Sequence, residues 1–452
     1  PSGTTTGNEE NKNQSGDTTG GTTLTKSTES RSSVLGSQIM YTGASLKVAD
    51  ANDDDETKIQ SAKIVETAVK NFMTVAEDVT TSATNYVIRI INKLVNDEST
   101  GKDNTLNVTL DNVNIDARNE KYETMGDAAL SVEGAGNTTI TLKGDNTLTS
   151  GGYHAGLEHN EKSDGGKTGK LTITSETDGN GNNTGSLTAT GSLASAGIGS
   201  VWNTAGTNNS DAGAGTIEIT GGDITAIGDS DAAGIGSGCK ATGETNITIS
   251  GTAKIKTQTE QGGAGIGSGS GATGNTNITI SGGTIETAQG GSGGAGIGGG
   301  DGSTGQTTVT IKSGTIKNAT GGNLGDGIGG GSGSKNITVN IEGGTIETAQ
   351  GGQGYGSFYD GGDGIHSDKA LTISGKATIV SAIGGGCGRD ATNRNAGHGI
   401  YSGGDLTIET GSNIGTAKGG DATDNNMNGG RGIYIDGALT IDGGTIETAQ
   451  GG

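Results

Sequence analysis

Short stretches of alternating apolar and polar residues recur along most of this chain, separated by clusters of glycine. TNITIS occupies 245–250 and again 276–281, and GTIETAQGG occurs three times, beginning at Gly283, Gly344 and Gly444. Apolar residues at every second position give an extended strand one buried and one solvated face. A third element is a Gly-Ile pair. It appears as AGIG at 196–199, 233–236, 264–267 and 295–298, then as DGIG at 326–329, DGIH at 363–366, HGIY at 398–401 and RGIY at 431–434. Its isoleucines, from Ile198 to Ile433, are spaced 37, 31, 31, 31, 37, 35 and 33 residues apart. A period of that length marks a stacked repeat. Three short strands per period, with glycine turns and no helix between them, make one coil of a solenoid. The fold predicted is all-β: a right-handed parallel β-helix of about ten rungs of three short strands. From Leu130 onward this is a rod of roughly 48 Å at about 4.8 Å per rung.

Stacked coils predict columns of side chains. Outward on the second strand lie Thr248, Thr279, Thr310, Asn340, Thr372, Thr407 and Thr440. Outward on the third lie Lys256, Glu286, Lys317 and Glu347, alternating in sign, and Thr257, Thr287, Asn318, Thr348 and Ser381 line a corner. Weaker rungs precede these. AALSV at 128–132, TTITL at 138–142 and NTLT at 146–149 form one; AGL at 155–157, LTIT at 171–174 and LTAT at 187–190 form another.

The pattern divides the chain into three parts. Residues 1–33 are a linker rich in Ser, Thr and Gly, of a composition that stays solvated. Residues 34–83 form an N-terminal cap or docking segment. Within it, Ile59, Ala62, Val65, Val69, Phe72 and Ala76 fall on one helical face, so 57–77 reads as a helix or as a strand-rich cap. Residues 84–452 are the β-helix, entered through 86–91, 106–110 and 113–115. The last GTIETAQGG stands in the middle of a repeat, which predicts that the solenoid continues or pairs there with another element. Residue 1 is Pro, as expected of a mature or trimmed chain.

Composition changes the picture in two places. Gly accounts for 93 of 452 residues and apolar residues for 28%, which by itself would suggest disorder. The fixed recurrence of the apolar positions overrides that reading, because each rung needs only a few inward side chains. The net charge of −22 argues against nucleic acid, which needs a cationic face. No apolar run approaches the length of a membrane span. Cys239 and Cys387 sit four rungs apart in this register, about 19 Å at 4.8 Å per rung. A disulfide needs Cα atoms within about 7 Å, so both are expected as free thiols.

In TLNVTLDNVNID at 105–116, TTITLKGDNTLTSG at 138–151, LTIT at 171–174 and the AGIG and GGTIET repeats, residues 84–452 resemble extracellular β-helix proteins of clostridia and other gut or cellulolytic bacteria, known as carbohydrate-binding domain-containing proteins. The resemblance implies plant-polysaccharide binding on secreted or cell-surface proteins, sometimes with calcium. No binding motif matches position by position, so no ligand residue is carried over.

The candidate chemistry lies late in the rod. After the repeating isoleucine the next position is Gly five times, then His366, Tyr401 and Tyr434. Two before it, Ala gives way to Asp326, Asp363, His398 and Arg431. With Tyr355, Phe358 and Tyr359 of the 353–363 loop, His366, Tyr401 and Tyr434 make a candidate glycan- or protein-binding strip; as plain side-chain ladders they would only stabilise the stack. Asp301, Asp360 and Asp363, in glycine-rich turns, are candidate calcium ligands or simply solvated turn residues. None of the four histidines sits in a linear metal-ligand spacing, and no Asp pair recurs beside Lys or Arg at a rung spacing, so no catalytic constellation is read. The functional expectation is a non-catalytic carbohydrate-binding or adhesion module, extracellular or on a bacterial cell surface. The alternative is a subunit of an extracellular fibre or adhesin stalk that self-associates into filaments, and a polysaccharide lyase or hydrolase is a third, disfavoured reading.

Overall fold

Extended strands that each bury one row of isoleucine, leucine or valine have one economical arrangement here: coil upon coil, with like residues stacked. The computed structural model describes residues 87–92, 105–118, 126–161, 168–202, 213–354, 360–387, 395–422 and 428–452. It also describes strand backbone at 21–25, 37–42, 45–50, 60–63 and 72–76. The described elements are strands, and the predicted β-helix is observed.

The first strand of each coil forms one long sheet in which Ile88, Leu130, Leu157, Ile198, Ile235, Ile266, Ile297, Ile328, Ile365, Ile400 and Ile433 pair in parallel, level upon level. From Leu130 to Ile433 these are the ten levels expected. The second and third strands form the other sheet, which bends at the glycines between them. The predicted Thr248–Thr279–Thr310–Asn340–Thr372–Thr407–Thr440 column is in register throughout. Along the strands the peptide groups bond to the coils above and below, so the strand backbone is satisfied through the stack.

The interior is a narrow apolar column, and several of its few polar members are paired. Ser200, Ser237 and Ser268 follow the Gly-Ile-Gly turn inside the rod, each accepting from a backbone N–H one coil on: Gly238 at 2.9 Å, Gly269 at 3.0 Å and Gly300 at 2.9 Å. His159 is fully buried, with Nδ1 2.7 Å from the Ala214 carbonyl and Nε2 2.9 Å from that of Gly169. Burial holds its imidazole below the usual histidine range, against the pull of those two carbonyls. At the far end, Leu439 and Ile441 continue the inner rows but are each 48% exposed, because no coil covers them among the described residues. Cys239 and Cys387 are buried and form no disulfide with each other, as expected from their separation.

One open alternative is decided, and one expectation needs correction. Backbone at 60–63 and 72–76 is extended, so the strand alternative holds over the helix for the described part of 57–77. The register also slips between Ile255 and Lys256, pairing Lys256 with Thr287 and Thr257 with Ala288. One extra residue, Glu286, is accommodated as a bulge, which turns every following side chain by one position. Lys256 therefore leaves the charge column, which runs from Glu286 to Lys317 at 2.9 Å. Thr257 leaves the corner column for an inner row otherwise held by Ala226, Ala288 and Ala319. The corner column itself continues as expected from Asn318 through Thr348 to Ser381.

Two measurements test this core. Ile266 is fully buried, so Ile266→Ala should cost about 2–5 kcal/mol in denaturant unfolding. Thr257 is 3% exposed and its Oγ1 has no partner, so Thr257→Ala should be neutral or stabilising, since an unpaired buried hydroxyl costs about 1–3 kcal/mol. For His159, a lowered folded pKa means that the unfolded chain takes the proton first as pH falls below about 6.5. Stability tied to this group is complete above that pH and is lost below it. The difference in melting temperature between pH 7 and pH 5 should be smaller in His159→Gln than in the unsubstituted chain.

Candidate functional site

The position after the repeating isoleucine decides where a site can form. At Gly298 the backbone has φ +138°, and a Cβ there would lie 1.8 Å from the Gly329 carbonyl oxygen. No side chain fits, and the first strand is only two residues long, as in Ile297–Gly298 and Ile328–Gly329. At the next level the column changes. Ile365–Ser367, Ile400–Ser402 and Ile433–Ile435 are three residues long and carry side chains outward from the middle position.

Those middle residues are His366, Tyr401 and Tyr434, paired level on level. Their rings stack: His366 on Tyr401 at 4.5 Å and 14°, Tyr401 on Tyr434 at 5.4 Å and 12°. The Arg431 guanidinium lies 4.6 Å over the Tyr434 ring, and His398 stacks on Tyr434 at 4.9 Å. The faces of Tyr401 are therefore turned to its neighbours in the ladder, and ring edges and polar tips remain for a ligand. The Tyr401 hydroxyl donates to Asp436 Oδ2 at 3.0 Å; burial and the Asp436 carboxylate push its pKa up to about 12.

The column two residues before the isoleucine supplies the charge. Ile328, Ile365 and Ile400 stack, so Asp326, Asp363 and His398 occupy the same position on successive levels. Asp363 Oδ2 lies 2.7 Å from His366 Nδ1, and Asp326 Oδ2 lies 3.8 Å from that atom. His366 Nε2 faces Asp368 Oδ1 at 3.2 Å. Backbone donors hold the carboxylates. Asp363 N–H reaches Asp326 Oδ1 at 2.7 Å, Gly330 N–H reaches Asp326 Oδ2 at 2.8 Å, and His398 N–H reaches Asp363 Oδ1 at 2.5 Å. Asp326 and Asp363 are buried, at 7% and 8% exposure.

Electrostatics follow from this packing. Burial raises the Asp326 carboxyl far above the usual carboxylate range, to about 7, although the neighbouring His366 opposes the shift. Burial alone would lower His366, but Asp326, Asp363 and Asp368 outweigh it and hold the ring well above its ordinary value. The His366 hydrogen bond keeps Asp368 low. His398 is lowered by burial.

These groups open onto a cleft of about 480 Å³, whose lining includes Asp326, Asp360, Asp363, His366, His398 and Tyr401. Asn395 also borders it, and its N–H donates to Asp360 Oδ1 at 2.9 Å. Of the sequence-predicted residues, Asp360, Asp363, His366 and Tyr401 thus come together. Tyr434 stands one level beyond, stacked but outside the cleft lining. Asp301 lies apart, packed beside Gly293, with its carboxyl raised by burial and by Asp231. Tyr355, Phe358 and Tyr359 fall outside the described residues. Sequence reasoning left out Asn395 and the Asp368 partner. It also weighed the histidines as metal ligands only in linear spacings, whereas Asp326 reaches His366 from the preceding coil. The signal for that was the Asp326–Asp363–His398 column itself, read together with its neighbour.

Gly329 joins the two column types. Its φ is +154°, and a Cβ there would stand 2.6 Å from Asp326 Oδ2 and 2.9 Å from the His366 Cβ. Gly329→Ala should therefore destabilise by more than about 1 kcal/mol and displace the Asp326 carboxylate. Gly179→Ala, with nothing within 4 Å of the added carbon, should be silent in the same thermal unfolding measurement.

Three stretches, 217–239, 278–301 and 309–332, match a family model described as a beta helix repeat. No curated protein and no solved structure matches the chain. The matched stretches lie in the central coils and end against the first level of the cleft. On its strand register and on this repeat match, the chain has the fold of a β-helix repeat protein.

Proposed function

We propose that this chain is a non-catalytic carbohydrate-binding β-helix of the cell exterior, and that the Asp326–Tyr401 cleft takes a neutral sugar unit of a glycan. The observation that carries the reading is the lining of the cleft. Carboxylates of Asp360 and Asp363, the amide of Asn395 and the imidazoles of His366 and His398 surround one concavity on a rigid stack. A ring of closely spaced acceptors and donors suits vicinal hydroxyls, which offer both. Hydrogen bonds to charged groups contribute about 1.5–3 kcal/mol each. The edge of Tyr401 supplies an apolar wall. Asp363, His366, His398 and Tyr401 stand on the rung stack, which lowers the entropic cost of ordering them on binding.

The charge narrows the ligand further. Among the described residues no Lys or Arg lines the cleft, so uronic-acid polymers would be repelled and neutral hexose or pentose chains preferred. An extracellular setting agrees with the strong negative charge and with the resemblance noted above.

Binding of neutral and uronic-acid oligosaccharides to the purified chain, measured by calorimetry, tests this. A neutral oligosaccharide should bind saturably, and Asn395→Ala and Tyr401→Ala should each weaken it about tenfold or more. Binding that these substitutions leave unchanged, or a preference for uronic acids, would sink the proposal.

A further inference from the structure

One cluster in the cleft is built more closely than sugar binding requires. His366 Nδ1 and one carboxylate oxygen each from Asp326 and Asp363 lie within 4.8 Å of one another. Among the described residues no Lys or Arg forms an ion pair with Asp326 or Asp363. Three carboxylates, counting Asp368, thus surround a single imidazole in a largely buried place.

We propose that Asp326, Asp363 and His366 bind one divalent transition-metal ion of the zinc class, with a coordination position open to the cleft. The donor types select the ion. Calcium and magnesium take oxygen ligands, whereas one imidazole nitrogen with two carboxylates suits zinc or cobalt. Ligand distances of about 2.0–2.2 Å in a tetrahedral arrangement put ligand atoms about 3.4 Å apart. The observed 2.7 Å between His366 Nδ1 and Asp363 Oδ2, and 3.8 Å to Asp326 Oδ2, straddle that value. Relative side-chain shifts of about 0.4 to 0.7 Å bring these two separations to it.

The surroundings point the same way. A metal-bound histidine usually donates its other ring N–H to a carboxylate, which sets the tautomer and turns the lone pair to the metal. His366 Nε2 faces Asp368 Oδ1, and Asp368 Oδ2 is itself held by the Ile337 N–H at 2.8 Å. A bound cation would take the place of the proton at Nδ1, and with Nε2 donating to Asp368 the Nδ1 lone pair would then be aimed between the two carboxylates. The backbone N–H groups of Asp363, Gly330 and His398 orient the two carboxylates. Every ligand therefore has its own fixed support. Three protein ligands with an open fourth position leave room for a water or a sugar hydroxyl. This deepens the proposed function, because it rests on the same cleft and makes the metal a contact for the glycan.

The test uses the full chain, stripped with a chelator and titrated separately with CoCl2, ZnCl2 and CaCl2 in the absence of glycan. One cobalt ion per chain should bind with visible d–d absorption, and zinc should displace it. Calcium should not compete, His366→Gln and Asp363→Asn should each weaken binding at least tenfold, and Asp301→Asn should leave it unchanged. If His366→Gln fails to fold, zinc-edge X-ray absorption on the unsubstituted protein reads the same question: nitrogen and oxygen neighbours near 2.0 Å support the site. An all-oxygen shell, no stoichiometric uptake, or undiminished binding by a folded His366→Gln chain overturns it. Calorimetry with glycan in the presence of chelator separates the two proposals. Glycan binding without metal uptake removes this inference alone, and metal uptake without glycan binding removes only the proposed function.

Discussion

The structure depends on one constraint: equivalent residues of successive coils stand directly above one another, about 4.8 Å apart. Parallel pairing makes this strict, because a slip of one residue turns every inward side chain outward. The isoleucine column from Ile198 to Ile433 meets that requirement at each level. The serine Oγ–backbone contacts inside the rod and the threonine column outside it are consequences of the same stacking. So is the economy of the sequence. A core one side chain wide needs few apolar residues, which is how 28% apolar content suffices.

The same constraint explains why the candidate site lies where it does. Along the central coils the position after isoleucine is pinned to glycine by backbone packed against it from the next level. When that column changes to His366, Tyr401 and Tyr434, three aromatic groups must stack, since their backbones do. The adjacent column changes from alanine to Asp326 and Asp363 at nearly the same level. Acidic residues are thereby forced together in a place too buried for water to screen them fully, and the imidazole of His366 is drawn between them. Regular repetition stabilises the rod, and interruption of two neighbouring columns brings together Asp326, Asp363 and His366, a group spaced to hold a metal ion.

Much of this was legible from periodicity. The three-strand coil, the level count from Leu130 and the threonine column needed only spacing and alternation. His366, Tyr401 and Tyr434 were visible as a change of residue type within a column. The bulge at Glu286 was not visible, because GTAKIK and GGTIET align equally well on paper and only packing decides which residue is extra. The face-to-face stacking of the rings was also hidden. A column says which residues neighbour one another but not whether their faces point along the rod or away from it.

The sequence by itself determined the repeat, the fold and the identity of the stacked residues, because parallel coils turn linear period into spatial neighbourhood. Tertiary structure alone decided that Asp326 meets His366 from the coil before, that Asp368 backs His366 and Asn395 joins the cleft while Asp301 does not, and that Thr257 turns inward. Those outcomes depend on side-chain direction and on turns of unequal length between strands. Local patterning leaves both free until the coils close on one another.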